Sequence, residues 1–412
     1  MIDSAMPSAP PPPVRTGIPT ARAVDHFAFT VPDLDEAVGF FTGVLGGEVC
    51  YREGPVEDTT GDWMTRKLGV HPRARAMVAL LRLGPHTNLE LFEYTAPDRV
   101  TAPPGPHDVG GHHLALSVAD LDTAEARLRA AGTVRLGPAG TAGALRRWFL
   151  TPWGTLLSLR GPGHRDGLRF VPDGRTYGDT ARPGGALHAA GAAQGAEAEQ
   201  GGRALNAAGA AQGGDVPYGA GGAAGAEADP RGGGPGIGLL GVEHVSYTVA
   251  DLDAATAFFT DILGALTVPD TALPDDRADH PDAPGPPGTA HTRRTLLRLG
   301  PTANCELVQS GGDAPRSRPP RNSDVGGHHL AFYVDDVDQA AAYLGRQPGV
   351  TLMGEPEMIT AGPIAGDRWL YFGTPIGIQM EIIHMPDGSL PYERLTSARR
   401  AIPGGLRWHD RP

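Results

Sequence analysis

The stretch Val24-Asp25-His26-Phe27-Ala28-Phe29-Thr30-Val31-Pro32-Asp33-Leu34-Asp35 decides the fold, because the chain repeats it as Val242-Glu243-His244-Val245-Ser246-Tyr247-Thr248-Val249-Ala250-Asp251-Leu252-Asp253. Its kernel is a histidine, an alternation of small and apolar residues, and then Asp-Leu/Val-Asp. That kernel begins four times, at His26, His113, His244 and His329. The spacing is 87 residues in the first pair and 85 in the second. A unit of this size seen four times predicts four similar modules, two in each of two homologous domains.

The module can be read residue by residue. Phe27, Phe29 and Val31 alternate as a strand does. Asp33, followed three residues later by Glu36, has the form of a helix N-cap with its capping partner. Leu34, Ala37, Val38, Phe41 and Leu45 then recur at helical spacing, and Gly46-Gly47 stops the helix. Leu252, Ala255, Phe259, Ile262 and Gly264 repeat the arrangement. Strands are expected over Met77 to Leu83 and Leu89 to Tyr94. The order predicts an α+β fold.

Working outward, further stretches match in order. Leu81-Arg82-Leu83-Gly84-Pro85 corresponds to Leu297-Arg298-Leu299-Gly300-Pro301. Asp108-Val109-Gly110-Gly111-His112-His113 corresponds to Asp324-Val325-Gly326-Gly327-His328-His329, and Thr151-Pro152-Trp153-Gly154 to Thr374-Pro375-Ile376-Gly377. Between the copies, residues 183–236 hold 17 Gly and 17 Ala in 54 positions, with too few large apolar side chains to offset the entropy of ordering. The expected organisation is a disordered lead over 1–21, domains over 22–166 and 237–390, a flexible Gly/Ala-rich linker over 167–236, and a tail over 391–412.

The balance of 35 basic against 47 acidic residues, a net charge of −12, argues against a nucleic-acid partner and an anionic membrane surface. Two cysteines, Cys50 and Cys305, leave no disulfide framework. No apolar run has the length of a membrane span and the N-terminus has no signal-peptide pattern, so a cytoplasmic protein acting on a small molecule is expected, as a monomer or homodimer.

The four repeated histidines begin equivalent strands, and a carboxylate recurs near the end of the modules. Glu90 and Glu306 are flanked by apolar residues in half-buried strands, where a carboxylate needs a partner. Glu381 has the same character, and Ser158 stands at its position in the first domain. The second domain therefore offers His244, Glu306, His329 and Glu381. The first offers His26, Glu90 and His113, with a poor ligand in Ser158. Two imidazoles and two carboxylates suit a divalent first-row metal (Fe, Ni, Co, Mn or Zn) with open positions for substrate. His112 and His328, one residue before ligand candidates, are expected on the opposite strand face in a structural role. Cys305 is expected to turn away from Glu306, and Arg293, Arg294, Arg298, Arg368 and His291 are noted near the clefts.

With these residues the sequence resembles the vicinal oxygen chelate superfamily, which includes glyoxalase I, methylmalonyl-CoA epimerase, extradiol dioxygenases, and fosfomycin or bleomycin resistance proteins. The resemblance implies βαβββ modules whose curved mixed sheets hold a metal in a cleft. It implies a metal-dependent lyase or isomerase, glyoxalase- or epimerase-like, whose substrate chelates the metal through vicinal oxygens, with Glu381 and Glu306 as proton shuttles. Two alternatives stand beside it. One is an Fe(II) extradiol ring-cleaving dioxygenase. The stretch Leu370 to Glu381 resembles the end of that signature and includes Tyr371, but the region Ala361-Gly362-Pro363-Ile364 lacks the histidine expected there. The other is a small-molecule-binding resistance-type protein.

Overall fold

The computed structural model describes residues 17–137, 146–161, 236–268, 293–311, 318–384 and Trp408. The expected linker, His291, most of the lead and most of the tail lie outside them. The first module comprises β1 (Ala21–Thr30), α1 (Leu34–Gly43), β2 (Glu48–Glu57), α2 (Trp63–Leu68), β3 (Arg75–Leu83) and β4 (Thr87–Thr95). The second has β5 (His112–Val118), α3 (Leu121–Ala130), β6 (Val134–Leu136), β7 (Arg146–Leu150) and β8 (Leu156–Arg160). The third has β9 (Leu239–Thr248), α4 (Leu252–Ala257), β10 (Leu266–Thr267), β11 (Arg293–Leu299) and β12 (Ala303–Gln309). The fourth has β13 (His328–Val334), α5 (Val337–Leu344), β14 (Thr351–Leu352), β15 (Glu357–Met358), β16 (Arg368–Gly373) and β17 (Gln379–His384).

The repeated aspartate caps a helix in every module. Asp33, Asp120, Asp251 and Asp336 accept from the backbone N–H of Glu36, of Asp122 and Thr123, of Ala254, and of Gln339. This satisfies N–H groups that a helix start otherwise leaves open. The helical apolar positions of α1 are buried as their spacing predicts, with Leu34, Ala37, Val38, Phe41 and Leu45 all in the core. The copy in the third module differs, because α4 runs into a π-helical turn over Phe258–Ile262.

The strands form two curved mixed sheets, ordered β14-β16-β17-β13-β1-β4-β3-β2 and β10-β11-β12-β9-β5-β8-β7-β6, with β15 on β16. The pairing of modules differs from the sequence expectation. Neighbouring modules of one repeat do not share a sheet. The first module joins the fourth through antiparallel β1 and β13, and the second joins the third through β5 and β9.

The Gly-Gly loops account for this crossing. The Gly326 N–H donates to Thr30 O and the Thr30 N–H to Gly327 O, each 2.8 Å, so the loop before β13 is held by β1. Gly110 and Gly111 make the same pair of bonds with Thr248 of β9, each 2.8 Å. A Cβ on Gly111 would lie 2.4 Å from Gly105 O, and one on Gly327 2.2 Å from Arg321 O, so neither position has room for a side chain.

The sheets lie back to back over one apolar core. It takes Phe27, Phe29 and Leu91 from one sheet and Leu116, Tyr247 and Leu307 from the other. His112 stacks on Phe29 at 4.3 Å and His328 on Tyr247 at 4.8 Å, between the sheets. Burial pushes these imidazoles down to about 3 and about 4, so both are neutral packing groups, the structural role their strand face predicts. Cys305 is fully buried in the same core, facing away from Glu306. Folded structure extends beyond the expected limits at both ends. Ile18 is already buried, and Trp408 packs on Phe332 and donates to Gly264 O at 3.0 Å. Among the described residues no helix is long and apolar enough to cross a membrane.

Candidate metal centre

Strand alternation sends one set of side chains to the core and the other into the hollow of each sheet. On β4, Leu89 and Leu91 face the core while Glu90 faces the hollow. On β17, Met380 and Ile382 face the core while Glu381 and Ile383 face the hollow. The seam β1/β13 places Ala28 opposite His329, and Ala331 pairs with both His26 and Glu381. His26, Glu90, His329 and Glu381 therefore meet, two from each half of the chain.

Their ligand atoms converge. His26 Nε2 lies 3.1 Å from His329 Nε2, 3.2 Å from Glu90 Oε2 and 3.4 Å from Glu381 Oε2. His329 Nε2 lies 3.5 Å from Glu90 Oε2 and 3.6 Å from Glu381 Oε2. Ligands bonded at ~2.1 Å to one first-row ion stand about 3.0–3.4 Å apart. Asp25 Oδ2 accepts from His26 Nδ1 at 2.8 Å, which leaves Nε2 to face the centre. Tyr51 donates to Glu90 Oε1 at 3.2 Å, and the Tyr371 hydroxyl is 3.0 Å from His329 Nε2.

The charges call for a cation. Burial opposes protonation of His26, yet Glu90, Asp25 and Glu381 overcome it and hold its pKa well above the usual value. Burial alone would raise the Glu90 carboxyl, but His26 and His329 hold it well below. The buried carboxylates thus favour positive charge beside them, which a divalent ion bonded to the deprotonated His26 Nε2 would supply. His26, Glu90 and His329 offer ligand atoms that all lie within 4.8 Å of one another, a donor set that fits such an ion, and Glu381 approaches both imidazoles beside them.

Above the centre opens a cleft with apolar walls that include Val78, Trp369 and Ile383. Two further carboxyls line it, and sequence reasoning missed both. Asp367 is fully buried, and neither of its carboxyl oxygens has a hydrogen-bond partner. Burial, then the charges of Asp25 and Glu381, push it up to about 8. Glu53 lies against Gly362, and burial with the Glu90 charge pushes it up to about 7. No sequence pattern marks either residue. Asp25 was not singled out either, although the repeat carries a signal for it, an acid before both His26 and His244.

The other sheet brings together His113, His244 and Glu306, with Glu306 Oε2 3.8 Å and 3.6 Å from the two imidazoles. The expected grouping of His244 and Glu306 with His329 and Glu381 is therefore not what the structure contains. The ligand sets exchange partners because the modules do. Glu306 accordingly lies away from the Glu381 cleft, and Glu90 stands where Glu306 was expected. Of the other residues noted, Arg293 pairs with Asp253 and Arg368 with Asp338, both at 2.7 Å on the surface, and Arg294 lies 3.4 Å from Glu306.

Two family models of the Glyoxalase/Bleomycin resistance protein/Dioxygenase superfamily match the chain, over residues 23–159 and 243–371. The chain belongs to this superfamily. Among curated members, a 2-epi-5-epi-valiolone epimerase of Actinomyces sp is 49% identical over 176 residues, which is 42% of this chain and 93% of that protein. The uncharacterized protein YaeR of Escherichia coli (strain K12) is 28% identical over 146 residues, 35% of this chain and 97% of that protein. Among solved superfamily structures, glyoxalase I from Zea mays is 14% identical with a TM-score of 0.47, covering 88% of this chain and 92% of that one.

Proposed function

We propose that the chain is a metal-dependent epimerase of this superfamily, with its active site at His26, Glu90, His329 and Glu381. The observation that carries this reading is the convergence of those four side chains beneath a cleft that also holds two carboxyls with raised pKa values. The relative at 49% identity points the reaction toward a ketone of the 2-epi-5-epi-valiolone kind. His26, Glu90, His329 and Glu381 would hold a divalent ion, which would supply Lewis-acid polarisation to the substrate.

Epimerisation beside a carbonyl needs one proton taken from carbon on one face and another returned on the opposite face. Glu53 belongs to the first module and Asp367 to the fourth, so the two carboxyls reach the cleft from different modules. Their pKa values, about 7 and about 8, leave both forms accessible near neutrality, which suits an acid and a base working as a pair. Glu53, the lower, takes the proton as carboxylate; Asp367, the higher, gives one as the neutral acid. Walls formed by Val78, Trp369 and Ile383 keep water from the exchanging proton. The ring-cleaving reading ranks behind this one because a second glutamate joins the two-histidine, one-carboxylate set usual for iron oxygenases, and the lyase reading does because the 49% identical relative is an epimerase; Tyr371 beside His329 is the feature that favours ring cleavage.

The test is turnover of 2-epi-5-epi-valiolone in heavy water by metal-loaded protein. We expect epimerisation with one deuterium entering at the inverted carbon. Glu53→Gln and Asp367→Asn should each lower the rate by about 100-fold or more while metal content stays unchanged. Oxygen uptake with catechols and no epimerisation would contradict the proposal.

A further inference from the structure

The strand registers match the second cluster to the first position by position. Tyr371 pairs with Glu381, and Trp148 pairs with Ser158, so Ser158 occupies the position of the fourth ligand. Trp369 pairs with Ile383, and Arg146 with Arg160. Val78 lies two residues before the partner of Glu90, as Arg294 does for Glu306. Three apolar walls of the first cleft, Trp369, Ile383 and Val78, therefore correspond to three arginines, Arg146, Arg160 and Arg294.

These arginines are buried and engaged with the cluster. Arg160 lies 2.9 Å from Glu243, the counterpart of Asp25, and Arg294 lies 3.4 Å from Glu306. Arg146 Nη2 donates to Ser158 Oγ at 3.3 Å and lies 3.4 Å from His113 Nε2, with its guanidinium 4.2 Å from the Trp148 ring. In the first site the three corresponding positions, Trp369, Ile383 and Val78, add no charge beside the carboxylates Asp25, Glu90 and Glu381. In the second, three guanidiniums face two carboxylates, Glu243 and Glu306. A guanidinium does not give up its proton under ordinary conditions, so a divalent ion here would meet an excess of fixed positive charge in a dry interior.

We infer that the His113–His244–Glu306 cluster holds no metal: its cation is the arginine triplet, with Arg146 reaching the imidazole that a metal would otherwise engage. Among the described residues a single metal centre then remains. Only the count of one rests on the proposed first site.

The experiment is equilibrium dialysis of the full-length protein against Mn2+, followed by metal analysis. One equivalent per chain is expected, falling at least tenfold in His26→Ala and in His329→Ala. His244→Ala and Glu306→Gln should keep the full equivalent. Two equivalents in the parent protein, or a loss in His244→Ala, would overturn the inference. No metal in the parent protein would sink the first-site reading while leaving this inference standing. Arg146→Trp combined with Ser158→Glu, which installs first-site residues, should add a second equivalent that His244→Ala removes; a count unchanged at one would show that the arginine is not what excludes the metal.

Discussion

At the scale of single residues, the four repeated His and Glu positions of the two centres differ at one: Glu381 in one copy and Ser158 in the other. That difference is visible in the sequence, and the structure adds the arginines that accompany it. Asp367 is the opposite case. It is one acid in Gly366-Asp367-Arg368, and nothing in its neighbourhood announces burial, yet it is closed off beside Asp25 and Glu381. Its folded-state pKa of about 8 lies above the unfolded value of roughly 3.9. The folded protein therefore binds that proton more tightly than the unfolded chain does. Stability is undiminished below about pH 4 and is lost progressively as pH rises toward 8. Asp367→Asn should then exceed the parent protein in stability by about 5 kcal/mol at pH 9, with the gap closing near pH 4. Urea unfolding at the two pH values checks this, and a gap independent of pH would contradict it.

At the scale of elements, the capped helices and the alternating strands were legible because their signals are local. Asp33 caps α1, and Phe27, Phe29 and Leu91 sit in the core as alternation requires. Which module pairs with which was not legible. All four modules open with the same kind of strand, so their local patterns fit either pairing equally well. The choice is made at the Gly-Gly loops, by bonds between residues some 300 positions apart, such as Thr30 with Gly326 and Gly327. Gly327→Ala puts a methyl 2.2 Å from a backbone oxygen and should cost about 3 kcal/mol or more. Gly39→Ala, on α1 with nothing within 4 Å, should gain roughly 0.5–1 kcal/mol by restricting the unfolded chain. Thermal unfolding of the two variants side by side tests the contrast; equal effects would contradict it.

At the scale of the molecule, the tandem repeat folds as two crossed pairs over a shared core rather than as two beads on a string. Each repeat contributes half of each sheet, and the two centres face outward from opposite sides of that core. One centre has the ligands, the acids and an open cleft; its twin has arginines in the same positions. A cleft built across the halves explains why the repeat pattern singled out these histidines and glutamates and still grouped them into sets other than those the structure brings together. The measurement that bears most directly on this is the anomalous scattering of crystals loaded with Mn2+. A single strong peak is predicted, within about 2.2 Å of His26 Nε2, Glu90 Oε2, His329 Nε2 and Glu381 Oε2. A peak between His244 and Glu306, or density joining His244 to His329, would contradict it.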